Sequence, residues 1–197
     1  MAQSLSEISA LLTNYINSLN FDEKVEALNF VRKKLSEISP FNHEPCDCIL
    51  WVKQENIYAN EYNPNHVASP EMKLLYESIK EDGYTMPIVT YDLGDGRREI
   101  VDGFHRNRVG REHEDIKNRI HGYLPVSTID KPEDERIGST IRHNRARGTH
   151  GIRPMSDIVL ELSKTGWSDS KICKKLGMDF CLLYTSPSPR DRSVSSM

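Results

Sequence analysis

The sequence predicts an α+β fold: a small sheet core between an N-terminal helical hairpin and a truncated C-terminal helix-turn-helix. Three patterns predict it. Two apolar stripes at helical spacing fill residues 1–40. Between 46 and 129, strand-like runs alternate with helical ones, separated by Gly, Pro and Asn turns. From 155 to 176, two short helical stretches are punctuated by glycine.

Leu5, Ile8, Leu11, Leu12, Tyr15, Ile16 and Leu19 form the first stripe, on a helix over 4–19. Val25, Leu28, Val31, Leu35 and Ile38 form the second, on a helix over 22–38 with Asp22 as its cap and Pro40 beyond its end. Mutual burial or docking on the body is the favoured role for these stripes, and a homodimer surface is the alternative. Residues 46–58, with Ile49, Leu50, Trp51, Val52 and Ile57, read as a strand and its exit. Tyr62-Asn63-Pro64-Asn65 is a turn. Ser69-Pro70-Glu71 opens a helix carrying Leu74, Leu75 and Ile79, which Gly83 stops. Strands at 87–91 and 98–101 flank the hairpin turn Asp92-Leu93-Gly94-Asp95-Gly96. A helix starts near Phe104, a strand runs from Tyr123 to Ile129, and a helix from Pro132 to about Arg147. Met155–Lys164 and a helix capped by Ser168-Asp169-Ser170 then form the opening of a helix-turn-helix, with Ile158, Leu162, Ile172, Cys173 and Leu176 inward.

Composition narrows the function classes. The chain has 197 residues, 37% hydrophobic and 28% charged, with a net charge of −3. That excludes a globally basic nucleic-acid binder but not a local basic patch. No run approaches the ~18–20 apolar residues of a membrane helix, and the N-terminus has no secretion-signal pattern. Four cysteines make no disulfide framework, so a cytoplasmic setting is expected. The run Cys181–Asp191 has no structural period, and the in-frame translation of a transposon-type sequencing adapter reproduces it residue by residue. Residues 181–197 are therefore read as an artefact, set apart from the fold and expected to be disordered. This gives four segments: a helical hairpin at 1–40, a core at 41–152, a partial helix-turn-helix at 153–180 and the tail at 181–197.

Two constellations carry chemistry. In Val101-Asp102-Gly103-Phe104-His105-Arg106, a strand runs through a glycine into a helix start, with Arg108 and Arg111 beyond. Gly103 would let a phosphate approach the backbone, free helix N–H groups would point at it, and His105 and Arg106 would add donors. On spacing alone, a glycine turn with solvated arginines is the simpler reading. The second is Ile141-Arg142-His143-Asn144-Arg145-Ala146-Arg147-Gly148-Thr149-His150. Arg142, Arg145, Arg147 and Arg153 stand within residues 137–153, which contain no acid. A solvated basic helix and an anion or nucleic-acid surface explain this equally well. His43, Cys46 and Cys48 lack the paired half-sites of a zinc centre.

In this order, the Asn-Pro turn, Leu75-Tyr76-Glu77-Ser78-Ile79, Gly83, Pro87-Ile88-Val89 and Asp102-Gly103-Phe104-His105-Arg106 resemble the ParB/sulfiredoxin-like family, over roughly residues 46–179. Asn144-Arg145-Ala146-Arg147-Gly148-Thr149-His150 looks most like phage co-activators of prophage gene expression of the Ibr B type. The resemblance implies a mixed-sheet core followed by a helix-turn-helix. It also implies a nucleoside triphosphate, CTP or ATP, held by Gly103, His105, Arg106, Asn144 and Arg147. Mg²⁺ would lie at Asn144, and Arg142, Arg145 and Arg153 would be left for DNA. His143 stands where the family's box has Glu, and an imidazole is a poor ligand for a hard cation. Hydrolysis is therefore expected to be slow or absent. Phe104 replaces the reactive cysteine of sulfiredoxins, which removes sulfinic acid reduction. The expected function is DNA-associated transcriptional regulation of phage or mobile-element genes. The rivals are an ATP-dependent kinase or nuclease, with Glu99, Asp102 and Glu112 as its nearest carboxylates, and an interaction module partnering a phosphoadenosine-phosphosulfate-reductase-like protein.

Overall fold

Reciprocal side-chain caps start the first two helices. The computed structural model of the chain describes residues 4–59, 69–131 and 166–176, with positions 139, 159 and 162–164 between them. Helix α1 spans Leu5–Asn17 and α2 spans Phe21–Glu37. Ser4 Oγ accepts from the Glu7 amide while the Glu7 carboxylate accepts from the Ser4 amide; Asn20 and Glu23 repeat the pattern. Each box satisfies N–H groups that a helix start otherwise leaves unpaired. The cap expected at Asp22 thus falls to Asn20. Asp22 instead accepts from Tyr123 Oη at 2.9 Å and pairs with Lys53 at 3.1 Å, tying α2 to the sheet.

The burial favoured for the two stripes is only partial: Val25, Leu28 and Val31 of α2 are half-buried and α2 docks on the sheet. Neither helix has a buried residue. Leu12, Ile16 and Leu19 are half-buried, while Leu5, Ile8, Leu11, Tyr15, Leu35 and Ile38 stay exposed. The reason is angular: the apolar arc of α1 is wider than the strip one neighbouring helix covers.

Five strands make one mixed sheet: β1 (Leu50–Lys53), β2 (Ile57–Tyr58), β3 (Ile88–Asp92), β4 (Arg98–Asp102) and β5 (Tyr123–Thr128), in the order β1-β5-β3-β4-β2. β1 with β5 and β3 with β4 are antiparallel; β3 with β5 and β2 with β4 are parallel. The single strand expected over 46–58 is therefore divided. A 3-10 turn at Gln54–Asn56 separates β1 from β2, where three polar residues of low strand preference interrupt the apolar run. These two strands form opposite edges of the sheet. The step from Lys53 to Ile57 spans at most ~14 Å of extended chain, whereas four strand spacings laid flat need ~19 Å. The sheet must curl until its edges approach each other.

Ile57, Ile88, Ile100, Val109, Ile116, Leu124 and Val126 fill the core. Helix α3 (Ser69–Asp82), α4 (Phe104–Glu112) and α5 (Glu114–Arg119) pack around it. Helix α5 is absent from the sequence reading, because Ile116 is its only buried residue and six residues hold no usable period. Arg119 donates to the carbonyls of Ile79 and Lys80, acceptors in the last turn of α3. Tyr76 Oη donates to Asp115 at 2.8 Å, and His113 stacks on the Tyr76 ring. Asn29 of α2 acts as a side-chain extension of the sheet edge: its Nδ2 donates to Trp51 O at 2.7 Å and its Oδ1 accepts from Trp51 N at 3.0 Å.

Near the C-terminus, α6 (Asp169–Leu176) begins with Ser168 Oγ accepting from the Lys171 amide. A helix-turn-helix lacking its next helix predicts that Leu162 and Ile172 are partly uncovered; both are instead fully buried, and Cys173 and Trp167, which the sequence reading leaves unplaced, are buried with them. The turn at 62–65, the helix over 132–147 apart from Ser139, the basic stretch 142–153, Ile158 and the tail lie outside the described residues. Among the described residues no helix is long and apolar enough to cross a membrane.

Candidate functional site

The junction of β4 and α4 is the part of the expected site that the structure describes. Gly103 takes φ +93° there and its carbonyl accepts from the Asn107 amide at 2.9 Å, closing the first turn of α4. A Cβ at Gly103 would lie 2.9 Å from Arg106 Nη2 and 3.2 Å from Ile88 Cα. Glycine is required both for the left-handed backbone and for these close approaches. No side chain caps α4 at Gly103, so its first-turn N–H groups make a start suited to an anion.

The cations behind this turn are less available than the sequence suggests. Arg106 folds back, donating from Nη2 to Pro87 O at 3.1 Å and pairing with Asp102 at 3.4 Å, both side chains nearly buried. Arg106 thus joins α4 to the entry of β3, and Asp102 offsets part of its charge. Both ring nitrogens of His105 are shielded from solvent, and its ring meets Phe104 edge-on. Arg108 pairs with Glu112 at 2.9 Å and holds that carboxyl below the usual range. Arg111 donates to Asn107 Oδ1 at 3.2 Å and to the carbonyls of Gln54 and Ile57. Of the carboxylates considered for a kinase base, Asp102 and Glu112 each hold an arginine, and Glu99 lies within β4. Among the described residues no group of three His, Cys, Asp or Glu side chains is placed to hold a metal. Asn144, Arg147, Arg142, Arg145 and Arg153 lie outside the described residues, as does their expected convergence with Gly103, His105 and Arg106.

Sequence reasoning misses Tyr84. Its hydroxyl donates to Arg106 O at 2.9 Å, and burial pushes its phenol up to about 12. The available signal is Gly110, a glycine inside a helix, which marks close packing. A Cβ there would sit 2.4 Å from Tyr84 Oη. Tyr84 also borders a cleft of about 510 Å³ between α2 and the sheet, lined mainly by Phe21, Leu28, Trp51, Ile120 and Tyr123 with Arg32 and Arg119.

A protein of Escherichia coli (strain K12) bearing the name uncharacterized protein YbdM is 51% identical over 168 residues, covering 85% of this chain and 80% of that protein. The chain belongs to the YbdM family. A family model described as the IbrB-like C-terminal HTH domain matches residues 150–180, so this YbdM-family chain carries a helix-turn-helix domain near its C-terminus. Two solved structures of the C-terminally truncated chromosome-partitioning protein ParB from Caulobacter crescentus are similar. The complex with CTP-gamma-S is 18% identical with a TM-score of 0.42, covering 68% of this chain and 74% of that one. The complex with the centromeric parS site is 16% identical with a TM-score of 0.45, covering 68% and 67%.

Proposed function

We propose that the chain is a DNA-associated regulator that binds a nucleoside triphosphate, CTP or ATP, at the β4–α4 junction. The helix-turn-helix domain at residues 150–180 carries the DNA part of the reading, because such a module reads base edges through one helix while neighbouring groups grip phosphate. Arg142, Arg145 and Arg153 are the proposed phosphate contacts. The uncapped start of α4 behind Gly103 supports the nucleotide part. There the Gly103 backbone and the first-turn amides would receive phosphate oxygens, with His105 and Arg106 flanking and Asn144 and Arg147 completing the site. A bound triphosphate competes with Asp102 for Arg106 and with Pro87 O for its Nη2. Binding would thereby loosen the link between α4 and β3, which is how nucleotide acts as a switch. The finer role is co-activation of phage or mobile-element genes, with His143 in the place of an acid keeping hydrolysis slow or absent.

The test titrates the full chain with CTP and ATP by calorimetry, and with specific and random duplexes at two salt concentrations. Arg106→Ala is expected to weaken nucleotide ten- to a hundredfold, on the order of 1.5–3 kcal/mol, with far-UV circular dichroism as the folding control. Nucleotide binding unchanged by Arg106→Ala removes the β4–α4 junction as the site. DNA binding with no salt dependence removes the arginine contacts.

A further inference from the structure

We infer that the cleft between α2 and the sheet binds an amphipathic organic anion, with Arg32 receiving its carboxylate and the apolar walls its body. Phe21, Val25, Leu28 and Arg32 line the cleft from α2. They stand at i, i+4, i+7 and i+11, a single stripe of the helix, so the cleft follows α2 for about 16 Å. Its volume of about 510 Å³ is that of a small-molecule site. Trp51 and Tyr123 line it from the sheet. At the Phe21 end, the ring of His121 sits 4.1 Å from that of Phe21, and the ring of Tyr123 sits 6.1 Å from it. His121 holds this place at φ +50°, the only positive φ of a non-glycine residue among those described. Strained backbone of this kind is kept where a site needs the side chain in one place.

Charge selects the occupant. No Asp or Glu lines the cleft, whereas Arg32 and Arg119 both do. Arg119 is committed to the carbonyls of Ile79 and Lys80. Arg32 is half-buried and donates from Nη1 to Asn29 Oδ1 at 3.3 Å. That oxygen already accepts from the Trp51 amide at 3.0 Å, so Asn29 aims the guanidinium without neutralising it. The neighbours of Arg32 along the helix face are Leu28, Asn29, Leu35 and Ser36, none of them acidic. A guanidinium set against apolar walls without a carboxylate gains most from a ligand that brings one, through paired charge-assisted hydrogen bonds. A cationic ligand is repelled, and a neutral one leaves the guanidinium as it was.

The cleft is separate from the β4–α4 junction and from DNA binding, and is tested without nucleotide or duplex. Calorimetry of the full chain with decanoate, decanol and decylamine, each below its aggregation threshold, should show decanoate about tenfold tighter than decanol and decylamine weakest. Arg32→Gln should bring decanoate to the affinity of decanol and leave decanol unchanged, while Arg32→Lys keeps part of the difference. Val25→Trp, which fills the cleft, should weaken decanoate and decanol alike, with circular dichroism as the folding control. In the NMR spectrum of the parent chain, decanoate should shift the indole N–H of Trp51 and not that of Trp167. Absence of decanoate binding overturns the inference and leaves the cleft to a polypeptide. Decanol bound as tightly as decanoate overturns the carboxylate, and a preference that survives Arg32→Gln overturns the role of Arg32. A shift at Trp167 alone, or binding indifferent to Val25→Trp, places the anion outside the cleft.

Discussion

Gly110→Ala pits two opposing effects against each other on α4. In a helix interior alanine is favoured over glycine by about 1 kcal/mol, so at an open site the substitution stabilises. Gly110 is not open. The new Cβ would lie 2.4 Å from Tyr84 Oη and 2.5 Å from Leu124 Cδ2, with Ile120 Cδ1 at an ordinary 3.5 Å. Leu124 is fully buried and central to the core, so its movement displaces neighbours. Overfilling of this kind costs about 1–3 kcal/mol. Tyr84 must also retreat from Arg106 O, losing a hydrogen bond of about 1 kcal/mol. The net expectation is a loss of about 1–3 kcal/mol, read by urea unfolding followed by circular dichroism. Tyrosinate absorbance supplies a second readout. In the parent chain Tyr84 ionises only near pH 12. Its folded pKa stands above the ordinary value, so the stability it contributes is intact below about pH 10 and lost as pH rises toward 12. In Gly110→Ala the phenol should ionise earlier. Adding Tyr84→Phe should recover part of the loss, giving a coupling of about 0.5–3 kcal/mol. A Gly110→Ala chain as stable as the parent would refute the packing argument.

Two further expectations follow from the α2–sheet contact. Asn29→Ala removes both bonds to Trp51 and should cost about 1–3 kcal/mol, with faster hydrogen exchange at the Trp51 amide; unchanged exchange there would show that the edge strand does not depend on α2. Asp22 has its carboxyl held below the usual value by the Tyr123 hydroxyl first and by Lys53. Its contribution is therefore present above the unfolded pKa of about 3.9 and lost as pH falls below it. Acid unfolding of the parent should be steeper in that window than that of Asp22→Asn, and identical profiles would remove the contact.

Much of the fold is legible locally. Gly83, Gly94, Gly96 and Gly103 mark boundaries because each signals a backbone requirement that the chain meets on the spot. The helical stripes are equally plain, but their period cannot say what covers them, and here much of α1 is left bare. The division of 46–58 is not legible, because β1 and β2 pair with β5 and β4, far along the chain. The choice of Asn20 over Asp22 as cap, by contrast, is local: Asn20 and Glu23 stand at capping-box spacing. At the site, Gly103 and Arg106 can be named from the order of residues. That Arg106 is held by Asp102 and Pro87, and that Tyr84 braces its carbonyl, depends on the through-space packing of α4 against β3.

The strand order carries a consequence for the timing of folding. β3 and β4 are close in sequence and can pair as soon as both have left the ribosome. β1 emerges earlier but has no strand to pair with until Tyr123–Thr128 appear, and Leu124 and Val126 bring the middle of the core with them. The entropy of closing that long loop falls before its contacts reward it, which slows folding. Until then Leu50–Lys53 is an open edge carrying Leu50, Trp51 and Val52, the kind of segment that recruits other chains. The nascent chain thus passes through an aggregation-exposed interval that ends only when β5 slides between β1 and β3.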